Sequence, residues 1–171
     1  MKKVVVWLMI SLCLMTGCSR NVKKGVQLLE AEKYEDAVVI FKEQVRKGRN
    51  LDEAYSGLGI AYFELKEYEL AAETFASAIE NDTKDTGIVY SFLAACYVEM
   101  EEYELALEAY EQALAQEDIT EELIQEAQFN LIAVYEKMGN WEAAKNQMET
   151  YVEKYPEDSR VDKESEFLET R

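Results

Sequence analysis

Cys18 is the residue whose position most suggests chemistry. It follows the small pair Thr16-Gly17 at the end of an apolar run of 12 residues, 4–15, which itself follows Met1-Lys2-Lys3. A positive start, a short apolar stretch and small residues before a break make a secretory signal, and the run falls short of the ~20 apolar residues a membrane span needs. Elsewhere the chain is chemically spare. It contains no histidine, which removes the usual general base and the commonest zinc ligand. Cys13 leaves with the leader, so Cys96 has no intrachain partner for a disulfide. Flanked by Ala95 and Tyr97, in a column shared with Ala61 and Val134, Cys96 is expected to be a small core residue. Residues 81–87 offer oxygen donors, but lack the alternating acids and closing Glu of a calcium loop and read as a connection. No catalytic residue, metal site or cofactor is expected.

The elements that position the rest repeat along the chain. Tyr34, Tyr68, Tyr103 and Trp141 are each followed three residues later by Ala37, Ala71, Ala106 and Ala144, and seven later by Phe41, Phe75, Tyr110 and Met148. The columns step together through intervals of 34, 35 and 38 residues. Ahead of them, Leu28, Tyr62, Tyr97 and Tyr135 form another column, with Gly25, Gly59, Ala94 and Ile132 three residues earlier. A period of this size marks a stacked helical repeat.

These columns resemble the tetratricopeptide repeat, a helix-turn-helix unit. Leu58-Gly59, Tyr62, Tyr68, Ala71, Phe75 and Ala78 fit it best, and Leu93-Ala94, Tyr97, Tyr103, Ala106, Tyr110 and Ala113 nearly as well. Leu131, Tyr135, Trp141, Ala144 and Pro156 carry a fourth unit, with Met148 and Tyr151 as enlarged substitutes. The first unit keeps Gly25, Tyr34, Ala37 and Phe41 but has Lys24 and Gln44 where Leu and a small residue are usual. The resemblance implies an all-α fold, a right-handed superhelical array of about four repeats over 18–51, 52–85, 86–120 and 121–158. A capping helix over 159–171 follows, with Ser159 as its cap and Val161 and Leu168 on one face. Leu14-Met15-Thr16-Gly17-Cys18 is similar to a bacterial lipobox, which implies cleavage after residue 17 and a lipid on Cys18.

Charge is uneven. The formal −17 becomes −19 once Lys2 and Lys3 leave with the leader, and residues 18–51 hold eight Lys or Arg against five acids, so the remainder is strongly acidic. Such a balance argues against nucleic acid, whose binding rests on Lys and Arg displacing counterions. Arg20, Lys23 and Lys24, beside Cys18, are expected to face an anionic membrane.

In the resembled family the concave face of the first helices is a groove for partners. Each first helix here has a second apolar line beside its packing line. Those lines either pack within the superhelix or place Ile60, Phe63, Ile88, Ser91, Ala95, Val98, Phe129 and Ala133 on the groove floor, with Glu64 and Glu99 as an acidic lip. The slots of the family's carboxylate clamp hold Val22, Val26, Gly57, Ile88 and Phe92, so chaperone-tail binding is not expected. The expected partner is a basic, apolar peptide or helix of another exported or envelope protein. The expected place is the extracytoplasmic face of the cell membrane, or an outer membrane where the cell has one. A homo-oligomer through the same apolar line or the Phe167-Leu168 edge is the second reading.

Overall fold

The computed structural model describes residues 20–81, 84, 86–117 and 119–170, with the side chain of Glu169 excepted. Cys18, the lipobox and the leader lie outside the described residues. Among the described residues there are nine helices and no strand: α1 (Arg20–Glu30), α2 (Tyr34–Arg46), α3 (Leu51–Glu64), α4 (Tyr68–Glu80), α5 (Thr86–Glu99), α6 (Tyr103–Leu114), α7 (Glu121–Lys137), α8 (Trp141–Lys154) and α9 (Val161–Glu169). The chain divides into two compact units, Met1–Asp85 and Thr86–Arg171.

In the first unit the repeat columns become a close approach of backbones. Phe41 of α2 is fully buried, and its ring lies against Gly25 of α1 and Gly57 of α3. A Cβ on Gly25 would stand 2.6 Å from Phe41 Cζ, inside van der Waals contact, and one on Gly57 would intrude further. Phe75 of α4 meets Gly59 in the same way, at 2.5 Å. The glycines let one aromatic ring fill the space between helices at the density of a core. The departures of the first repeat are absorbed: Lys24 points into solvent, whereas Gln44 is 3 % exposed and takes the small residue's place in the core.

The second unit uses the same plan with bulkier alternatives. Ala106 and Ala113 of α6 and Ala144 of α8 are wholly buried beside Tyr110, Met148 and Tyr151. The three-residue longer interval is taken up by α7, which runs for 17 residues against 14 in α5. The Thr120 hydroxyl begins it by accepting the Leu123 N–H at 3.4 Å, satisfying one of the donors a helix start leaves open. α9 covers the end of this unit with Val161 and Leu168, both buried against Ile132, Met148 and Tyr151. Ser159 does not cap it. That turn is built by Asp158, whose carbonyl accepts the Val161 N–H at 3.0 Å and whose carboxylate accepts the Arg160 N–H at 3.0 Å.

Each turn from a first to a second helix is closed identically. Glu32, Lys66, Glu101 and Gly139 hold φ of 57°, 63°, 62° and 71°. Their N–H groups donate to Leu29, Phe63, Val98 and Glu136, while the next residue's N–H reaches back to Leu28, Tyr62, Tyr97 and Tyr135. This is the paired helix-end closure that favours glycine at the left-handed position. Three of the four positions lack glycine.

Candidate functional site

The residues expected to line a groove fall on one helix of the first unit and two of the second. On α3, Ile60 is 2 % exposed, so it is closed to a partner and serves the packing of its own unit. Phe63, one helical turn on, is half-buried, its ring edge-on to Tyr68 at 5.4 Å. Glu64 is the last residue of α3. Burial first and the Glu64 carboxylate second raise the pKa of the Tyr34 hydroxyl, which ties the start of α2 to the end of α3.

On α5, Ile88 is buried, Ser91 is half-buried and donates its hydroxyl to the Gly87 carbonyl at 2.9 Å, and Ala95 and Val98 are half-buried. Glu99 is exposed at the last position of α5, and Ala133 is exposed on α7. Phe129 of α7 is half-buried. The Arg160 guanidinium stands over its ring at 4.0 Å and Tyr151 packs against it at 5.4 Å, so Phe129 takes part in fastening α9. The accessible first-helix residues are Val26 and Phe63 in the first unit and, in the second taken by itself, Ser91, Ala95, Val98 and Ala133, whereas Val22, Leu29, Ile60 and Ile88 are withdrawn into the cores of their own units.

Glu30, Glu64 and Glu99, which recur at one place in the sequence columns, share one structural address. Each ends a first helix, and Lys137 ends the fourth. A carboxylate there faces the negative end of the helix dipole at a cost of about 0.3–1 kcal/mol, where Lys137 gains a similar amount. Arg20, Lys23 and Lys24 are all exposed on α1.

The remaining reactive candidates are packing groups. Cys96 is fully buried, and desolvation pushes its thiol up to about 12, so the thiolate is scarce at neutral pH. Among the described residues, no group of three or more His, Cys, Asp or Glu could hold a metal ion, and no helix is long and apolar enough to cross a membrane.

Sequence reasoning missed a polar clasp in the second unit. Arg160 donates to Glu126 at 2.8 Å, to Asp158 at 2.7 Å and to the Tyr151 hydroxyl at 2.9 Å. Tyr151 donates to Asp158 at 2.5 Å, and Gln125 donates to the same carboxylate at 3.0 Å. Arg160 first and the Tyr151 hydroxyl next hold the Asp158 carboxyl well below the usual carboxylate range, against its burial. The only sequence signal was the Arg placed between Pro156 and the last apolar face.

Successive antiparallel helix pairs with one turn geometry and one small-to-aromatic contact define an α-helical repeat protein whose accessible first-helix faces are its candidate site. Profiles of the tetratricopeptide repeat match residues 28–96 and 126–158, and the chain belongs to that repeat family. Among solved structures it is similar to "MamA 41-end from Desulfovibrio magneticus RS-1", at 21% identity and a TM-score of 0.75 over 90% of this chain and 86% of that one. It is also similar to "Crystal structure of YrrB: a TPR protein with an unusual peptide-binding site", at 20% identity and a TM-score of 0.70 over 86% and 74%. "MamA AMB-1 P212121" aligns at 21% identity and a TM-score of 0.67 over 86% and 78%. At these identities the likeness concerns the fold. No curated protein matches the chain in sequence, and neither matching profile belongs to a catalytic family.

Proposed function

We propose that this protein is a lipid-anchored adaptor of the cell envelope, acylated at Cys18, which holds a basic and apolar segment of another exported protein against its first helices. The observation that carries the reading is the half-exposed state of Phe63 and Val98. Both sit one turn or less from a first-helix C-terminus, beside packing residues that are buried, and each is followed directly by a carboxylate, Glu64 or Glu99. Partly accessible aromatic and aliphatic anchors carry most of the energy of an interface, while charges at the rim steer association. YrrB, a protein of this fold with a peptide-binding site, supports the same use of the array.

Anchoring follows from the leader. Acyl chains contribute about 0.8 kcal/mol per buried methylene, and two or more hold a protein stably on a bilayer. The reading places the protein on the extracytoplasmic face of the membrane, or on an outer membrane in a cell that has one. Its test has two arms: fatty-acid labelling of wild type and Cys18→Ala, and capture of envelope proteins by the wild-type array against Phe63→Ala and Val98→Ala. Equal labelling of both chains removes the anchor, and equal capture by all removes the groove. Self-assembly is the second reading, favoured by Val39, Leu70, Leu105 and Phe167, which stay 67%, 41%, 43% and 37% exposed. A chain mass that rises with concentration selects it. Leu168 takes no part in such an edge, being buried in the core of the second unit.

A further inference from the structure

The Phe41 contact fixes a register that the sequence does not display. Gly25 of α1, Phe41 of α2 and Gly57 of α3 lie level with one another. Because consecutive helices run in opposite directions, the five residues before Gly25, the five after Phe41 and the six before Gly57 all lead to the same end of the first unit. At ~1.5 Å per residue, Arg20 and Arg46 arrive at about the same height. That end gathers Arg20, Lys23 and Lys24 from α1 with Arg46, Lys47 and Arg49 from the end of α2 and the turn behind it, all exposed. Among the described residues the carboxylates at this end are Glu43, Asp52 and Glu53, with Glu80 where α4 ends beside the start of α3. Glu43 is engaged by Arg46 and Lys47, each at 2.8 Å, which leaves the Arg46 side chain 71% exposed. The opposite end, where the first-to-second-helix turns lie, carries Glu30, Glu32, Glu35, Asp36, Glu64 and Glu67 with only Lys33 and Lys66 nearby. The first unit is polarised along its helix axes, which a count over residues 18–51 averages away.

We infer that this six-cation end of the first helix hairpin is a docking surface for anionic phospholipid headgroups, and that it stands the first unit on the membrane with its acidic turns facing outward. The inference rests on the proposed anchor at Cys18 for its location, since Arg20 is two residues from that cysteine. The cations themselves stand independently of it. Charge complementarity selects the occupant: α1, α2 and the turn behind α2 contribute exposed cations to one surface, as a sheet of headgroups requires, whereas a bound peptide needs apolar anchors that these side chains do not supply. Each Lys or Arg near an anionic surface strengthens binding about fivefold. Close contacts persist at physiological salt, where screening has a length of about 8 Å.

The test uses the full chain, reconstituted into vesicles of phosphatidylcholine alone or mixed with phosphatidylglycerol, with an impermeant amine reagent and mass spectrometry reading each lysine. Lys23, Lys24 and Lys47 are expected to label several-fold more slowly on the anionic vesicles at low salt, with Lys137, Lys145 and Lys163 unchanged and the difference lost at high salt. Arg46→Gln with Arg49→Gln, which leave α1 untouched, should restore labelling of Lys23 and Lys24 in large part. Equal labelling on the two vesicle types overturns the inference. So does protection that appears on both vesicles and grows with protein concentration, which would assign the basic end to the acidic repeats of a second copy. The acyl mass at Cys18 is read from the same digests; if it is missing, the anchor fails by itself, and the chain added to preformed vesicles still reports on the basic end through salt-sensitive co-sedimentation with the anionic ones.

Discussion

Arg160 roofs Phe129: the guanidinium carbon stands 4.0 Å from the ring centroid while its nitrogens bind Glu126, Asp158 and the Tyr151 hydroxyl. One side chain from the turn before α9 thus closes over α7 and α8 together. A flat, delocalised cation suits this position, since it can stack on a ring and present a fork of donors at its edge.

Replacing Arg160 should therefore loosen the end of the array. Arg160→Ala leaves the Asp158 carboxylate, whose side chain is 9% exposed, without its main partner. A loss of about 2 kcal/mol is expected for charge-assisted hydrogen bonds of this kind. Arg160→Lys keeps the charge but not the fork and should recover less than half. Because the folded Asp158 carboxyl titrates below its unfolded value, its contribution is present above the ordinary carboxylate range and lost as pH falls from that range down through the lower folded value. Thermal melts of wild type and Arg160→Ala should converge in acid; parallel curves would remove Asp158 from the account.

A pair of carboxyls, Glu136 and Glu164, has the opposite sign. Glu136, near the end of α7, is raised to about 7, first by desolvation and then by hydrogen bonding and repulsion from Glu164 of α9, with Lys137 opposing. One Glu136 oxygen is buried without a partner. A folded value above the unfolded one stabilises the array at low pH, and that stability is lost as pH rises through about 7. Glu136→Gln should flatten the dependence of Tm on pH in this window and raise Tm above it. An unchanged profile would place the two carboxyls too far apart to share a proton.

The left-handed column offers a stabilising test. Lys66 and Glu101 hold φ of 63° and 62°, a region side chains adopt at some cost, and Gly139 fills the equivalent place in the fourth pair. Lys66→Gly and Glu101→Gly should each raise stability by about 0.5–1 kcal/mol, the relief of strain exceeding the entropy of a freer unfolded chain. A fall in Tm for both would mean that the Lys66 and Glu101 side chains make contacts that outweigh the strain.

Packing was legible in the sequence and accessibility was not. The Tyr-Ala-Phe columns report contacts between consecutive helices, which are local and repeat, so their spacing survives in one dimension. Ile60 and Phe63 show why the groove was harder. They share an apolar line on α3, yet one is 2 % exposed and the other half-buried, because which side of that line closes depends on the angle between neighbouring helices rather than on residue type. Phe129 is engaged by Arg160, thirty-one residues further on and outside every column. The turn closures at Glu32, Lys66 and Glu101 escaped for another reason: their geometry comes from backbone hydrogen bonds, and no glycine announces them.

Phe63 separates binding from folding. Ala71 is wholly buried on α4, and Ala71→Leu must force extra volume into a closed contact, at about 1–3 kcal/mol. Phe63 lies at the edge of the same unit, touching Tyr68 by its rim, so truncation opens a site already half in water. Phe63→Ala should lower Tm by less than Ala71→Leu does, yet weaken capture of a partner by tenfold or more, about 1.4 kcal/mol. Glu64→Gln with Glu99→Gln should leave Tm nearly unchanged and mainly slow association, flattening its salt dependence as rim charges do. Melts by circular dichroism and capture of envelope proteins on the same preparations give both numbers. If Phe63→Ala costs as much stability as Ala71→Leu and capture falls only in proportion to the folded fraction, the ring is core and the partner must be sought on another face.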